Sequence, residues 1–290
     1  MTASHTERFA PSPTGRLHLG HAYSAILTHD RAKVANGDFL MRMEDLDTSR
    51  IRDVYYSYIE DDLAWLGLSW QRAVLRQSAR QAAYDDALER LAAAGLTYAC
   101  LCSRRDIAEA ARAPQEGEPM LGPDGLVYPG TCREAGHSTD QPHALRLNIG
   151  AAIELLGGDK ALTQISYVET GHTPGTYPLN AEDLRTGTGD IVLRRRDGAI
   201  AYHLAVVVDD AFQEVTHVTR GEDLAPAVPV QRLLQALLDL PEPIYHHHRL
   251  IRDAEGKRLA KRHDVLSLAA LRDEGWQPND IRARLGLRQR

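Results

Sequence analysis

Apolar residues recur at three- and four-residue spacing through residues 54–66 and 80–94, the period of a helix with one face on a core. Gly67 and Gly95 stand just past these runs, where a helix is commonly closed. Residues 7–10 read as a short strand, and the turn Pro11-Ser12-Pro13-Thr14-Gly15 follows. A helix is then predicted over 17–36, stopped by Gly37, and an alternating strand over 39–44. Farther on, 190–194 and 201–209 take strand character. Within the second of these, Leu204-Ala205-Val206-Val207-Val208 is nearly all apolar and β-branched, which suits a strand buried on both faces of a parallel sheet. Residues 230–240 read as helix, 245–251 as strand, and short helices follow from 265 to a basic tail.

The stretch 96–180 breaks this rhythm. It is rich in Gly and Pro, holds every cysteine, and offers short strands near 145–149 and 165–168. The order is strand–helix–strand–helix, an interruption, then strands and helices again. That order predicts an α/β fold with a split, doubly wound, Rossmann-like parallel sheet. The expected division is a first catalytic half at 1–95, an inserted module at 96–180, a second half at 181–240 and a small helical C-terminal part at 241–290.

Composition changes this picture little. Of 290 residues, 43% are hydrophobic and 26% charged, which is ordinary globular usage with enough chain for a buried core. No apolar run is long enough for a membrane helix, and the polar N-terminus lacks the order of a secretory signal. Three cysteines are an odd number and poor material for a disulfide framework, so the cytoplasm is the expected location; no protein partner is implied, and a monomer is expected. The net charge of −6 does not by itself suggest a nucleic-acid partner. Residues 241–290 nevertheless carry 11 Lys+Arg against 7 Asp+Glu, so a locally basic end sits on an acidic body.

Candidate chemistry concentrates in Pro11-Ser12-Pro13-Thr14-Gly15-Arg16-Leu17-His18-Leu19-Gly20-His21, where a strand turns into a helix. Unpaired N–H groups at a helix start favour phosphate. The three-residue spacing puts the His18 and His21 rings on one face of the first turn, beside a glycine that leaves room for a base or ribose. Far downstream, Gly256-Lys257-Arg258-Leu259-Ala260-Lys261-Arg262 offers four cations, a candidate clamp for a leaving pyrophosphate. His246-His247-His248 invites a metal reading. Neighbours on a strand point to opposite faces, however, so local packing or phosphate contact is expected instead.

These residues carry a resemblance. His18-Leu19-Gly20-His21 resembles the HIGH signature of class I aminoacyl-tRNA synthetases, and Arg258-Leu259-Ala260-Lys261-Arg262 is similar to their KMSKS loop. In that loop, Arg258 and Ala260 depart from the first lysine and first serine, while Lys261 keeps the second lysine. Arg8-Phe9-Ala10-Pro11-Ser12-Pro13-Thr14-Gly15, Arg42-Met43-Glu44-Asp45-Leu46-Asp47, Tyr202 to Asp210 and Thr219-Arg220-Gly221-Glu222-Asp223-Leu224 resemble the glutamyl members. The resemblance implies catalytic roles for His18, His21 and Lys261. It implies ATP contacts from Pro11, Ser12, Gly15, His18, Gly20, His21, Arg258 and Lys261. It implies glutamate contacts from Arg8, Phe9, Ala10, Pro11, Ser12, Glu44, Tyr202 and Arg220. An acidic substrate suits this set, because guanidinium binds carboxylate through parallel N–H bonds.

Cys100, Cys102 and Cys132 offer three of the four ligands that zinc takes. His137 and His143 compete for the fourth place on general chemistry, and the resemblance implies Tyr128 there. One structural Zn²⁺ is therefore expected, with Mg²⁺ accompanying ATP. The chain stops about thirty residues after Lys261, without the large anticodon-binding region of discriminating glutamyl synthetases. This favours the branch of the family that activates L-glutamate and attaches it to queuosine in tRNA(Asp). A catalytic fragment charging tRNA(Glu), or an HxGH nucleotidyltransferase acting without RNA, are the alternatives.

Overall fold

The computed structural model describes residues 5–111, 120–252 and 267–289. Strand β1 (Thr6–Phe9) leads through the Pro-rich turn into helix α1 (Leu19–Val34), which crosses back to β2 (Asp38–Met43). Helix α2 (Val54–Trp65), strand β3 (Leu75–Arg76) and helix α3 (Gln81–Ala93) complete this part. Next come β4 (Thr97–Cys100), α4 (Arg104–Ala111), a hairpin of β5 (Leu121–Gly122) and β6 (Gly125–Leu126), and β7 (Ala144–Leu147). Helices α5 (Ile149–Leu155) and α6 (Gly158–Leu162), then β8 (Ser166–Glu169), β9 (Gly175–Pro178) and β10 (Val192–Arg194), follow. Helix α7 (Tyr202–Phe212), β11 (His217–Gly221), α8 (Val228–Leu237), β12 (Ile244–His248), α9 (Leu268–Asp273) and α10 (Pro278–Leu285) close the chain.

The main sheet has seven strands in the order β3-β2-β1-β11-β12-β8-β9. All neighbours run parallel except β8 and β9. From β1 the chain passes to β2 on one side and, much later, to β11 on the other. The sheet reverses its order there, and in parallel sheets of this kind such a reversal opens a crevice at the C-terminal strand ends. Alternation along β2 sends Phe39, Met41 and Met43 into a core shared with Ala22, Ala25 and Ile26 of α1, Leu63 of α2 and Ile281 of α10. A second core lies around α7, joining Tyr84 and Leu88 of α3, Leu147, Leu193, and Leu233 and Leu234 of α8.

Two expectations from sequence are corrected. Residues 201–209 are not a sheet strand; they fall in α7. Both alternatives predict a continuous apolar run, because α7 is covered on nearly every side, with Leu204, Ala205, Val206 and Val207 all buried. Nor does the strand near 165–168 belong to the inserted module. It is β8, which pairs with β12 and extends the large sheet. Conversely β10, from beyond residue 180, joins β7 and β4 in a separate three-stranded sheet. The two sheets thus interleave along the chain.

Candidate active site

A cleft of about 670 Å³ opens at the C-terminal ends of β1, β2, β11 and β12. It is lined by Arg8, Phe9, Ala10, Pro11, Ser12, His18, Gly20, His21, Glu44, Tyr202 and Arg220 among others. Every residue assigned above to ATP or glutamate therefore meets here, with three exceptions. Gly15 is not on the wall, and Arg258 and Lys261 lie outside the described residues. The chain on both sides of residues 253–266 is anchored at this cleft. Leu250 and Ile251 line it, and Leu268 donates its backbone N–H to Leu17 O at 2.8 Å while Ser267 bridges to His18.

At one wall, His18 is the N-cap of α1. Its Nδ1 accepts from Gly20 N at 3.1 Å, and its own backbone N–H donates to His21 Nδ1 at 3.2 Å. The two rings lie 3.7 Å apart. Each Nδ1 accepts a backbone proton, so each neutral ring carries its hydrogen on Nε2. The pair is thus a set of fixed Nε2–H donors at the positive end of a sixteen-residue helix with no acidic residue in its first turn. Gly20 is required for this arrangement, because a Cβ there would stand 2.9 Å from His18 Cε1.

At the opposite wall, strand register and alternation put Arg42 of β2, Arg8 of β1 and Arg220 of β11 on one face of the sheet. Asp210, near the end of α7, answers two of them. Arg8 donates from Nε and a terminal nitrogen at 2.9 and 3.2 Å, and Arg42 donates at 2.7 Å. Burial pushes the Asp210 carboxyl up, but Arg8 and Arg42 outweigh it and hold it below its usual range. Arg42 also donates to Glu44 at 3.3 Å. Burial dominates there, so the Glu44 carboxyl sits above its usual range despite Arg42 and Arg8. Arg220 donates to Tyr202 Oη at 3.2 Å, to Leu224 O at 3.2 Å and to His247 Nε2 at 3.1 Å.

The cysteines converge in the small sheet's end. The three sulfurs lie within 4.8 Å of one another, and Cys102 and Cys132 are 3.4 Å apart without a disulfide. The Tyr128 hydroxyl stands 3.5 Å from both Cys100 and Cys102 and accepts from Cys132 N at 2.8 Å. Ligands about 2.0–2.3 Å from a tetrahedral zinc are separated by about 3.3–3.8 Å, so this donor set fits the ion. Burial raises the Cys102 thiol to about 11; burial works the same way at Cys132, but hydrogen bonds with Tyr128, Leu101, Cys102 and His137 outweigh it and bring that thiol to about 6. His143 bonds instead to Gln141 O at 2.9 Å.

Residues 5–289 match the family described as tRNA synthetases class I (E and Q), catalytic domain. The chain belongs to that family. It is 52% identical over 285 residues to a glutamyl-Q tRNA(Asp) synthetase of Rhodobacter capsulatus, covering 97% of this chain and 99% of that one. A protein of the same name from Nocardia farcinica is 41% identical, over 96% of this chain and 82% of its own. Among solved structures, a glutamate tRNA ligase from Elizabethkingia meningosepticum, in complex with its amino acid, superposes with a TM-score of 0.76 at 25% identity. The match covers 97% of this chain but 60% of that longer one.

Several residues that build this synthetase cleft were invisible as such in the sequence. Arg42 and Asp210 sit inside quoted motifs, yet nothing in their spacing paired them. Glu169 falls in the stretch expected as an insert. Its carboxylate accepts from His247 N at 3.0 Å and from His247 Nδ1. The central histidine of His246-His247-His248 is thereby tied to Arg220 behind the cleft wall, while His248 lines the cleft itself.

Proposed function

We propose that this chain activates L-glutamate with ATP and transfers the glutamyl group to queuosine at the wobble position of tRNA(Asp). The observation that carries this is one cleft with two charge-complementary ends: imidazole donors at a helix start facing Arg8 and Arg220 on a sheet face, with buried Arg42 behind them. The near full-length relatives named for that activity support it. In the first step the α-carboxylate of glutamate attacks the α-phosphorus in line, giving glutamyl-adenylate and pyrophosphate. In the second, a hydroxyl on the RNA attacks the activated carbonyl and releases AMP.

Pro11, Ser12, His18, Gly20 and His21 hold ATP, with His18 and His21 stabilising charge that grows on the phosphates, while Gly15, off the wall, acts only through the turn that carries them. Arg258 and Lys261 complete the phosphate site. The anchoring of both flanks of their segment at the cleft supports this assignment. Arg8, Phe9, Ala10, Pro11, Ser12, Glu44, Tyr202 and Arg220 hold glutamate. In this set, Arg8 and Arg220 take carboxylates, and Glu44 takes the ammonium group. Mg²⁺ bound with ATP supplies further neutralisation of phosphate charge. Cys100, Cys102, Tyr128 and Cys132 hold one structural Zn²⁺. Within the expected division at 1–95, 96–180, 181–240 and 241–290, the inserted module is built on β4, β7 and β10, while β8 and β9 serve the catalytic sheet.

The test supplies ATP and labelled glutamate with queuosine-bearing tRNA(Asp), queuosine-free tRNA(Asp) and tRNA(Glu). Label on the queuosine-bearing species alone is expected. Label on tRNA(Glu) establishes the charging reaction instead, and adenylate formation with no labelled RNA establishes a nucleotidyltransferase. Lys261→Ala should slow pyrophosphate exchange by about 10²–10³-fold, the cost of one charge-stabilising donor.

A further inference from the structure

Behind Arg220, on the side away from the cleft, lies a buried chain of two side chains that the proposed chemistry does not use. His247 is 1% exposed and Glu169 is 5% exposed. Their polarity is fixed from both ends. Arg220 Nε–H donates to His247 Nε2 at 3.1 Å, so that nitrogen carries no hydrogen. The ring proton is therefore on Nδ1 and is donated to Glu169. Burial, reinforced by Arg220, lowers His247 to about 4, which keeps the ring neutral. Glu169 is itself held. Its Oε1 accepts from His247 N at 3.0 Å and Gly171 N at 2.5 Å, leaving Oε2 for the ring. Gly171 makes this cradle possible, since a Cβ there would stand 2.2 Å from His247 O.

We propose that Glu169 and His247 are positioning residues for Arg220: the carboxylate fixes the imidazole as its Nδ1–H tautomer, and the unprotonated Nε2 then fixes the guanidinium edge. Arg220 has five N–H groups, and among the described residues its recorded bonds to His247, Tyr202 and Leu224 use three. The guanidinium is thus clamped along its Nε edge and presents its remaining N–H groups where it lines the cleft. This inference rests on the reading of Arg220 as an arginine that takes a substrate carboxylate.

The arrangement makes an unusual demand on Glu169. In Glu169→Gln the two backbone N–H groups at the Oε1 position require the amide oxygen there. The amide NH₂ then faces His247 Nδ1, which has to accept. The ring proton moves to Nε2 and meets the Arg220 Nε–H, donor against donor. A nearly isosteric change thus unseats a guanidinium two side chains away.

Pyrophosphate exchange on the full chain, with KM measured separately for glutamate and for ATP, tests this. Arg220→Gln should raise the glutamate KM by about 10²-fold or more, a lost charged pair. Glu169→Gln and His247→Ala should each raise it about 10–100-fold, the usual effect of a lost orienting partner, with the ATP KM unchanged. His247→Gln, whose amide accepts from Arg220 and donates to Glu169, should return it to within about threefold of wild type, each tenfold in KM corresponding to ~1.4 kcal/mol. The double variant Glu169→Gln/His247→Ala should be no worse than His247→Ala alone, because Glu169 acts through the ring. Nitrogen-15 shifts should show Nδ1–H in wild type and Nε2–H in Glu169→Gln.

If Arg220→Gln raises the glutamate KM and Glu169→Gln does not, the positioning role is overturned while the Arg220 assignment stands. If Arg220→Gln leaves that KM unchanged, the Arg220 assignment falls first and the inference falls with it. Equal rises in both KM values, or additivity in the double variant, would mark Glu169 and His247 as packing residues and overturn the proposal.

Discussion

Glu44 is held where burial works against its charge, and this gives it a pH signature. Its carboxyl lies above the usual value of 4.5, raised by desolvation that Arg42 and Arg8 offset only in part. A substrate ammonium would pair with the carboxylate and not with the acid. The glutamate KM should therefore climb as pH falls through the raised pKa. In Glu44→Gln the KM should be about 10–100-fold higher and flat over the same range, a hydrogen bond to a charge having been lost. A Gln variant that keeps the wild-type slope would remove Glu44 from the ammonium site. Asp210 is the opposite case, a carboxylate kept ionised by two arginines. Asp210→Asn removes the charge that Arg8 and Arg42 share and leaves Arg42 with Glu44 and Gln213, which should destabilise the fold by about 3–5 kcal/mol. Denaturant unfolding measures this directly, and a loss below about 1 kcal/mol would show that the arginines find other partners.

At the scale of elements, the join between β1 and α1 was the most legible part of the chain, because its signals are local. A strand, a Pro-rich turn and two histidines three apart leave little freedom for where the helix starts. What sequence did not carry was the use of Gly20, whose missing side chain makes room for the His18 ring. Gly20→Ala should thus tilt His18 away from the helix start. The cost should be about 10²-fold in pyrophosphate exchange, as for other misplacements near an ångström, with the glutamate KM little changed. An equal rise in the glutamate KM would mean that the wall moves as a whole. Helix α7 was the least legible element. Its Leu-Ala-Val-Val-Val run has no polar face to set a period, since helices pack around it, and β-branched residues tilt the choice toward strand. Only the pair Asp209 and Asp210 hinted otherwise. On a helix, adjacent residues diverge by about 100° rather than to opposite faces. Asp210 accordingly meets the sheet arginines, while Asp209 accepts from Gln77, Arg80 and Tyr84 at 2.9, 2.9 and 2.7 Å.

For the whole molecule, the interleaving of two sheets decides how far the cysteine cluster can influence the cleft. Leu147 and Leu193 of the small sheet share a core with α3, α7 and α8, so that sheet is braced independently of any metal. Cys100, Tyr128 and Cys132 form a separate small cluster with Tyr98, Cys102, Ile107 and Ala144. A cluster of that size buries little apolar surface of its own, so on the proposed zinc reading the ion would hold its loops. Polar ties cross from this region to the body: Tyr98 donates to Asp190 at 2.6 Å and Arg196 to Leu101 O, and two more reach outward. Arg133 donates to Asp190 at 2.8 Å, and Asp124 of the β5–β6 turn pairs with His203 of α7 at 3.0 Å. Each of these last two pairs has one exposed partner, Arg133 or Asp124, and such ties are individually weak beside a shared core. Cys132→Ser, or removal of metal by a chelator, should therefore take bound zinc from about one equivalent per chain to near none. Hydrogen exchange should quicken around residues 100–107 and 128–137 while β1, β11, β12 and α7 stay protected. Glutamate-dependent pyrophosphate exchange should hold within about threefold, since the cleft's arginines and histidines stand on the large sheet and α1. Transfer to RNA should fall further than activation, because the loosened cluster borders a second groove that holds Cys102, Arg104, Arg195 and Arg196 and opens onto Glu44 and Tyr202. If activation collapses in step with metal loss, the ties through Asp190 and His203 carry more than their exposure suggests, and the cluster is part of the catalytic framework.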